Sequence, residues 1–152
     1  MKIDRIPIKE YYDKEKNLVK SSIEYKNNKK HGISTYWNVD GKVIKECGYN
    51  NNKRHGPFKY YDEINEKLKE YCEYKEDIKH GRYISYEDGR KKIKGFYLEG
   101  KKNGLWKYYN KFDKLVRRTF WNKGDLLSSY DYSIDDGNLL IIKTFPLNNQ
   151  FF

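Results

Sequence analysis

Little in this chain could build a conventional hydrophobic core. Of 152 residues, 37% are hydrophobic, none is alanine and one is methionine, and mean hydropathy is −1.11. A compact α/β domain of this length carries more Leu, Val and Ala. There are two cysteines. With no apolar amino-terminal signal and a charged start (Met1-Lys2-Ile3-Asp4-Arg5), the expectation is a reducing, cytoplasmic setting. No apolar run is long enough to span a membrane as a helix. The chain has no Gly-x-Ser-x-Gly, no phosphate-binding glycine loop and no Cys-x-x-Cys. Paired carboxylates such as Asp62-Glu63 and Asp135-Asp136 fall where turns are expected, which is the ordinary place for solvated charge. The reading is therefore a protein that is not an enzyme and needs no cofactor.

What the chain has is tyrosine, 16 of 152 residues, within an aromatic content of 17%. The tyrosines recur in a phrase: Tyr25 to Gly32, Tyr49 to Gly56, Tyr74 to Gly81 and Tyr97 to Gly104. Their spacing is 24, 25 and 23 residues, and Trp121 follows Tyr97 by 24. A fixed period of this length marks a repeat protein whose units stack on their neighbours. Such arrays mostly make extended binding surfaces. An aromatic pair follows most copies: Tyr36-Trp37, Tyr60-Tyr61 and Tyr108-Tyr109, with Tyr11-Tyr12 one period upstream.

Between each pair and the next phrase runs a short apolar-polar alternation, as in Val43 to Tyr49 and Leu68 to Tyr74. β-branched and aromatic residues at period two predict strands. Asp40-Gly41, Asp88-Gly89, Glu99-Gly100 and Asp136-Gly137 predict tight turns. Gly32, Gly56, Gly81 and Gly104, which close the phrases, are expected in the turns at the other end. The predicted fold is all-β: an open, twisted antiparallel meander of about five stacked β-hairpin repeats of about 24 residues. It occupies residues 1–152 as a single array. Residues 1–24 are a degenerate half-repeat, 25–132 the repeats and 133–152 a capping strand. In that strand the apolar run from Asn138 to Phe145 closes the last hairpin and Phe151-Phe152 folds back. Tyr25, Tyr49, Tyr74, Tyr97 and Trp121 are expected in one ladder and the aromatic pairs in a second.

His31, His55 and His80 share one repeat position. Neighbours should lie two strands apart, roughly 10 Å, too far for one metal ion. Asn103 fills the slot in the fourth copy, so a structural role is expected and no metal site. Cys47 and Cys72 also share a position and should stay unpaired.

Charge is distributed more tellingly. Thirty-two Lys and Arg against 22 Asp and Glu give +10. Lys30, Arg54, Lys79 and Lys102 each precede the His/Asn-Gly element, and are expected as a basic row along one edge. That row either steers an acidic protein partner or an anionic lipid, or serves only solubility. Nucleic acid is disfavoured, because the tyrosines that could stack on bases are needed for the fold.

The stretch Tyr97-Leu98-Glu99-Gly100-Lys101-Lys102-Asn103-Gly104-Leu105-Trp106-Lys107-Tyr108-Tyr109 resembles the bacterial variant of the MORN repeat, and the resemblance spans roughly Tyr11 to Tyr132. It implies a single open β-meander used for protein–protein or membrane association. It also implies an antitoxin- or immunity-like role, occluding a partner that could be a toxin. Tyr36, Trp37, Tyr60, Tyr61, Tyr108 and Tyr109 are the candidate anchors, with the basic row as the steering element. The alternative is a peripheral module on anionic membrane.

Overall fold

A computed structural model describes residues 6–146. The alternating stretches form twelve strands: β1 (Ile6–Tyr11), β2 (Val19–Lys26), β3 (Lys29–Trp37), β4 (Val43–Asn50), β5 (Lys53–Tyr61), β6 (Leu68–Lys75), β7 (Ile78–Glu87), β8 (Arg90–Leu98), β9 (Lys101–Tyr109), β10 (Leu115–Asn122), β11 (Asp125–Tyr132) and β12 (Leu139–Thr144). They lie in one sheet in chain order, with no helix among the described residues. The chain divides into two compact units, Met1–Ile78 and Lys79–Phe152.

Tight turns fall at Asp88-Gly89 and Glu99-Gly100 as the sequence suggests, whereas the glycines that close the phrases lie elsewhere. In the first unit the two-residue turns are Asn27-Asn28, Asn51-Asn52 and Glu76-Asp77, with φ positive at both residues. The second unit has the same geometry at Asp88-Gly89, Glu99-Gly100 and Lys123-Gly124. Positive φ at both central residues is the type I′ signature, whose twist matches that of the flanking strands. Gly32, Gly56, Gly81 and Gly104 also have positive φ (93°, 82°, 114° and 68°). They nevertheless lie within β3, β5, β7 and β9, not in turns. At β4–β5 the register jumps from Cys47↔Phe58 to Tyr49↔Arg54, so His55, Gly56 and Pro57 oppose Gly48 alone. A bulge of this kind needs a residue that accepts left-handed geometry.

Beyond each bulge the strand start is displaced, and its backbone pairs with the next hairpin tip. Asn52 donates its N–H to the Lys30 carbonyl (2.9 Å), and the Lys30 N–H donates to Asn52 Oδ1 (2.7 Å). Asp77 does the same for Arg54 (3.0 and 2.9 Å). In the second unit, Gly100 N–H reaches Lys79 O (2.8 Å) and Gly124 N–H reaches Lys102 O (2.9 Å).

Apart from the buried Ser21, the core is one residue row wide. In the first unit it crosses the strands as Ile23, Ser34, Cys47, Phe58 and Cys72, each opposite the next. All five are buried. In the second unit Tyr83 pairs with Gly95 and Trp106 with Thr119, and Trp106 is 1% exposed. Large side chains thus fill the space that small cross-strand neighbours leave. Gly95 shows this most sharply: a β-carbon there would lie 2.2 Å from the Trp106 ring. Tyr25, Tyr49, Tyr74, Tyr97 and Trp121 flank this row, half-buried. No disulfide joins the two cysteines, and Phe58 lies between them in the row.

β12 extends the sheet beside β11, with Tyr130 opposite Ile142. It does not lie over the last hairpin: all six of its residues are exposed. Phe151 and Phe152 lie outside the described residues.

Candidate interaction surface

Lys30, Arg54, Lys79 and Lys102 are each the second residue of their strand, close to a hairpin tip. Their side chains are not free edge charges. In the first unit Lys30 Nζ sits 5.5 Å from the Tyr49 ring centre and Arg54 Cζ 4.3 Å from that of Tyr74. In the second, Lys79 Nζ lies 5.2 Å from both Tyr83 and Tyr97. Lys102 Nζ lies 4.5 Å from Trp106 and 4.8 Å from Trp121. All four are half-buried. The bulge turns the expected basic row onto the aromatic ladder, where the ring quadrupoles hold the cations while their charge remains.

The aromatic pairs do not form one ladder either. Successive strand residues point to opposite faces, so each pair splits. Tyr36, Tyr60 and Tyr108 lie on the ladder face, opposite Lys45, Glu70 and Ile93. Lys45 Nζ is 3.9 Å from the Tyr36 ring centre. Tyr60 packs edge-on against Phe58 at 4.9 Å and is 42% exposed. Burial raises the phenol pKa of Tyr36, and carries that of Tyr74 to about 12. Trp37, Tyr61 and Tyr109 fall on the other side. Tyr61 donates its hydroxyl to Glu46 Oε2 (2.7 Å), and Lys59 Nζ meets the same oxygen at 2.8 Å. The Lys59 bond, more than any other influence, holds the Glu46 carboxyl below its usual range.

That other face differs between the units at matching repeat positions. Three residues before the ladder aromatic stand Ser22, Glu46, Tyr71, Lys94 and Arg118. Three after the bulge glycine stand Thr35, Lys59, Ile84 and Lys107. In the first unit Glu46 and Lys59 face each other and neutralise. In the second, Lys94 faces Lys107 and Lys107 faces Arg118. Beside this row stand Phe96 and the cross-strand pair Leu105 and Phe120. Arg82, Ile84, Lys94, Phe96, Leu105 and Lys107 line a shallow depression of about 470 Å³. The sequence carries a signal for it. Residues 1–78 hold 17 Lys and Arg against 14 Asp and Glu, whereas 79–152 hold 15 against 8.

Two of the three histidines make local contacts. His55 Nδ1 lies 3.4 Å from Glu76, and His80 packs edge-on to Phe96 at 6.3 Å. No group of three His, Cys, Asp or Glu among the described residues could hold a metal ion. Asp62 organises its own loop. It accepts the backbone N–H groups of Ile64 and Asn65 and pairs with Lys69, which lowers its pKa to about 2, with the Asn65 bond the largest cause. Among the described residues no helix is long and apolar enough to cross a membrane.

No family model matches this chain, and no curated protein matches it. Among solved structures it is similar to "Crystal Structure of TarM", at 16% identity and a TM-score of 0.41, over 59% of this chain and 18% of that one. The chain thus spans less than a fifth of that protein's length.

Proposed function

We propose that this protein is a non-enzymatic interaction module of the MORN-variant type, built of about five hairpin repeats of some 24 residues. In this reading it works in the cytoplasm as an antitoxin- or immunity-like binder, occluding a partner protein by steric cover. One observation supports it above the others. A sheet whose core is one row wide leaves broad surfaces open, and among the described residues five hydrophobic side chains are buried while sixteen large ones are exposed. Four of the sixteen, Leu139, Leu140, Ile141 and Ile142, adjoin along β12, and contiguous exposed apolar surface is characteristic of association sites. Lys30, Arg54, Lys79 and Lys102 keep their charge while rings hold them, and in this reading they steer the encounter with an acidic partner.

The test begins with capture of partners from native extract on the immobilised chain. Each captured protein is then purified and assayed alone and with one equivalent of this chain. The reading expects one partner whose own activity disappears at equimolar ratio. A captured partner that keeps full activity when saturated overturns it.

The second reading is a peripheral module on anionic membrane. It is favoured by the adjacency of Lys94 and Lys107 to exposed Phe96 and Leu105, since basic and apolar side chains on one surface suit an anionic interface. Flotation with vesicles rich in anionic lipid separates the two, since the occluding binder stays behind.

A further inference from the structure

Lys94, Lys107 and Arg118 stand directly opposite one another on β8, β9 and β10. Cross-strand neighbours have β-carbons about 4.5–5.5 Å apart, and like charges so placed destabilise a sheet. No ion pair to Lys94 or Lys107 occurs among the described residues. Among the described residues Arg118 meets two tyrosines: it donates to the Tyr132 hydroxyl and lies 5.9 Å from the Tyr130 ring centre. The first unit places Glu46 against Lys59 at the corresponding positions, 2.8 Å apart. The same fold thus accommodates a neutralised pair there, and the second unit carries a repulsive row instead. A row of unneutralised cations costs stability and is relieved by an anionic ligand.

The neighbouring row narrows the ligand. Phe96, Leu105 and Phe120 lie next to the cations on the same face, two residues further along each strand or diagonal to it. Phe96 is 39% exposed and Leu105 36%. A ligand lying across the strands would meet a line of positive charge on one side and flat apolar surface on the other. We infer that this face of the 79–152 unit binds single-stranded nucleic acid. Phosphates run along Lys94, Lys107 and Arg118, and unstacked bases rest on Phe96, Leu105 and Phe120. Cationic tracks beside aromatic platforms are how sequence-tolerant single-strand binders work. A duplex keeps its bases stacked inside and offers nothing to the aromatic row. An acidic peptide docks more readily along a sheet edge, where backbone groups are open, than across the middle of a paired face. The tyrosines that the ladder requires are not involved, because this site lies on the opposite face.

The test uses the full chain and fluorescein-labelled 12-mers of oligo(U) and oligo(dT), read by anisotropy at 150 mM salt. Saturable binding is expected, with a duplex of equal length at least tenfold weaker. Contacts to three phosphates give a slope of log K against log salt of about −2, and each cation removed takes away about 0.7. Lys94→Glu with Lys107→Glu should weaken binding at least tenfold. Phe96→Ala should weaken it about fivefold or more. Lys26→Glu with Lys29→Glu, which changes net charge equally in the other unit, should leave affinity within twofold. Folding does not confound the result: Lys107→Glu alone places an acid between two cations and should raise the thermal midpoint while weakening binding. The inference is overturned by absence of saturable binding, by equal affinity for duplex, or by affinity that tracks net charge in both double variants alike. It is equally overturned if anionic vesicles or polyglutamate bind this face and oligonucleotides do not. The occlusion reading stands or falls separately, on its partner's activity.

Discussion

Arg54 and Asp77 hold each other at four points. The Asp77 N–H donates to the Arg54 carbonyl, and Asp77 Oδ1 accepts from both the backbone N–H and Nε of Arg54, at 2.9 and 3.0 Å. A terminal guanidinium nitrogen reaches the Asp77 carbonyl at 3.0 Å. The same guanidinium lies on the Tyr74 ring. One arginine thus ties a strand start, a hairpin tip and the aromatic ladder together. Its value lies in packing and hydrogen bonding more than in charge. Arg54→Ala should lower unfolding free energy by about 1–2 kcal/mol, and Arg54→Lys should recover only part, since a lysine lacks the planar fork. Urea titration measures both. A loss under about 0.5 kcal/mol for the alanine variant would show that the clasp is surface decoration.

Acid should weaken the protein over a defined window. The Asp62 carboxyl is depressed from 3.8 to about 2. A depressed folded pKa adds stability above the unfolded value, and that addition disappears as pH falls through the folded one. Asp77 and Asp136 are lowered as well, chiefly by backbone N–H groups of Arg54 and Asn138. The thermal midpoint should therefore hold near neutrality and fall between about pH 4 and pH 2. Asp62→Asn should flatten part of that fall. Superimposable profiles for variant and parent would refute the assignment to Asp62.

Gly95→Ala should be among the costlier single-methyl additions. The new carbon would meet Trp106 ring atoms at 2.2 and 2.3 Å, and that indole is both buried and tied by its Nε1–H to the Phe96 carbonyl at 3.2 Å. Overpacking of this kind costs about 1–3 kcal/mol. Trp106→Phe in the same chain should restore part of the loss, because a smaller ring vacates the space. Equilibrium unfolding of the two single variants and the double decides it. Simple additivity would mean that the two residues do not share one volume.

Cys47 and Cys72 should resist thiol reagents in the native protein. Each is 1% exposed, and burial pushes the Cys47 thiol up to about 11, so little reactive thiolate exists at pH 8. Ellman's reagent should register no thiol before denaturant is added and two after. Prompt labelling of the folded protein would contradict the burial.

Much of this architecture is legible in the tyrosine period. Period-two alternation locates the strands, and Tyr25, Tyr49, Tyr74, Tyr97 and Trp121 do flank the core at one repeat position. Glycine proved ambiguous. Positive φ serves a bulge as well as a turn, so Gly56 reads as a turn in the sequence but sits inside β5, while Asn51-Asn52 makes the turn. The alternation that finds strands also separates Tyr60 from Tyr61, and applying it to the aromatic pairs divides them correctly. The ring contacts of Lys30 and Arg54 are not legible for another reason: a charge beside a turn looks solvent-facing until the bulge aims it at a ring. The row of Lys94, Lys107 and Arg118 escapes notice because attention to a repeat favours what recurs, whereas this row lies in what varies between copies.

Each strand of this sheet pairs with its neighbours in the chain, which bears on how such a chain is made. The hydrogen bond from Tyr12 to Trp37 joins residues 25 apart, and the tip clasps span about one period. As the polypeptide leaves the ribosome, each hairpin meets its neighbour already formed, with no distant segment to await. Local topology of this kind shortens the search for the native state. It also makes the loss or gain of one hairpin forgiving, since every remaining strand still pairs with its neighbour in the chain.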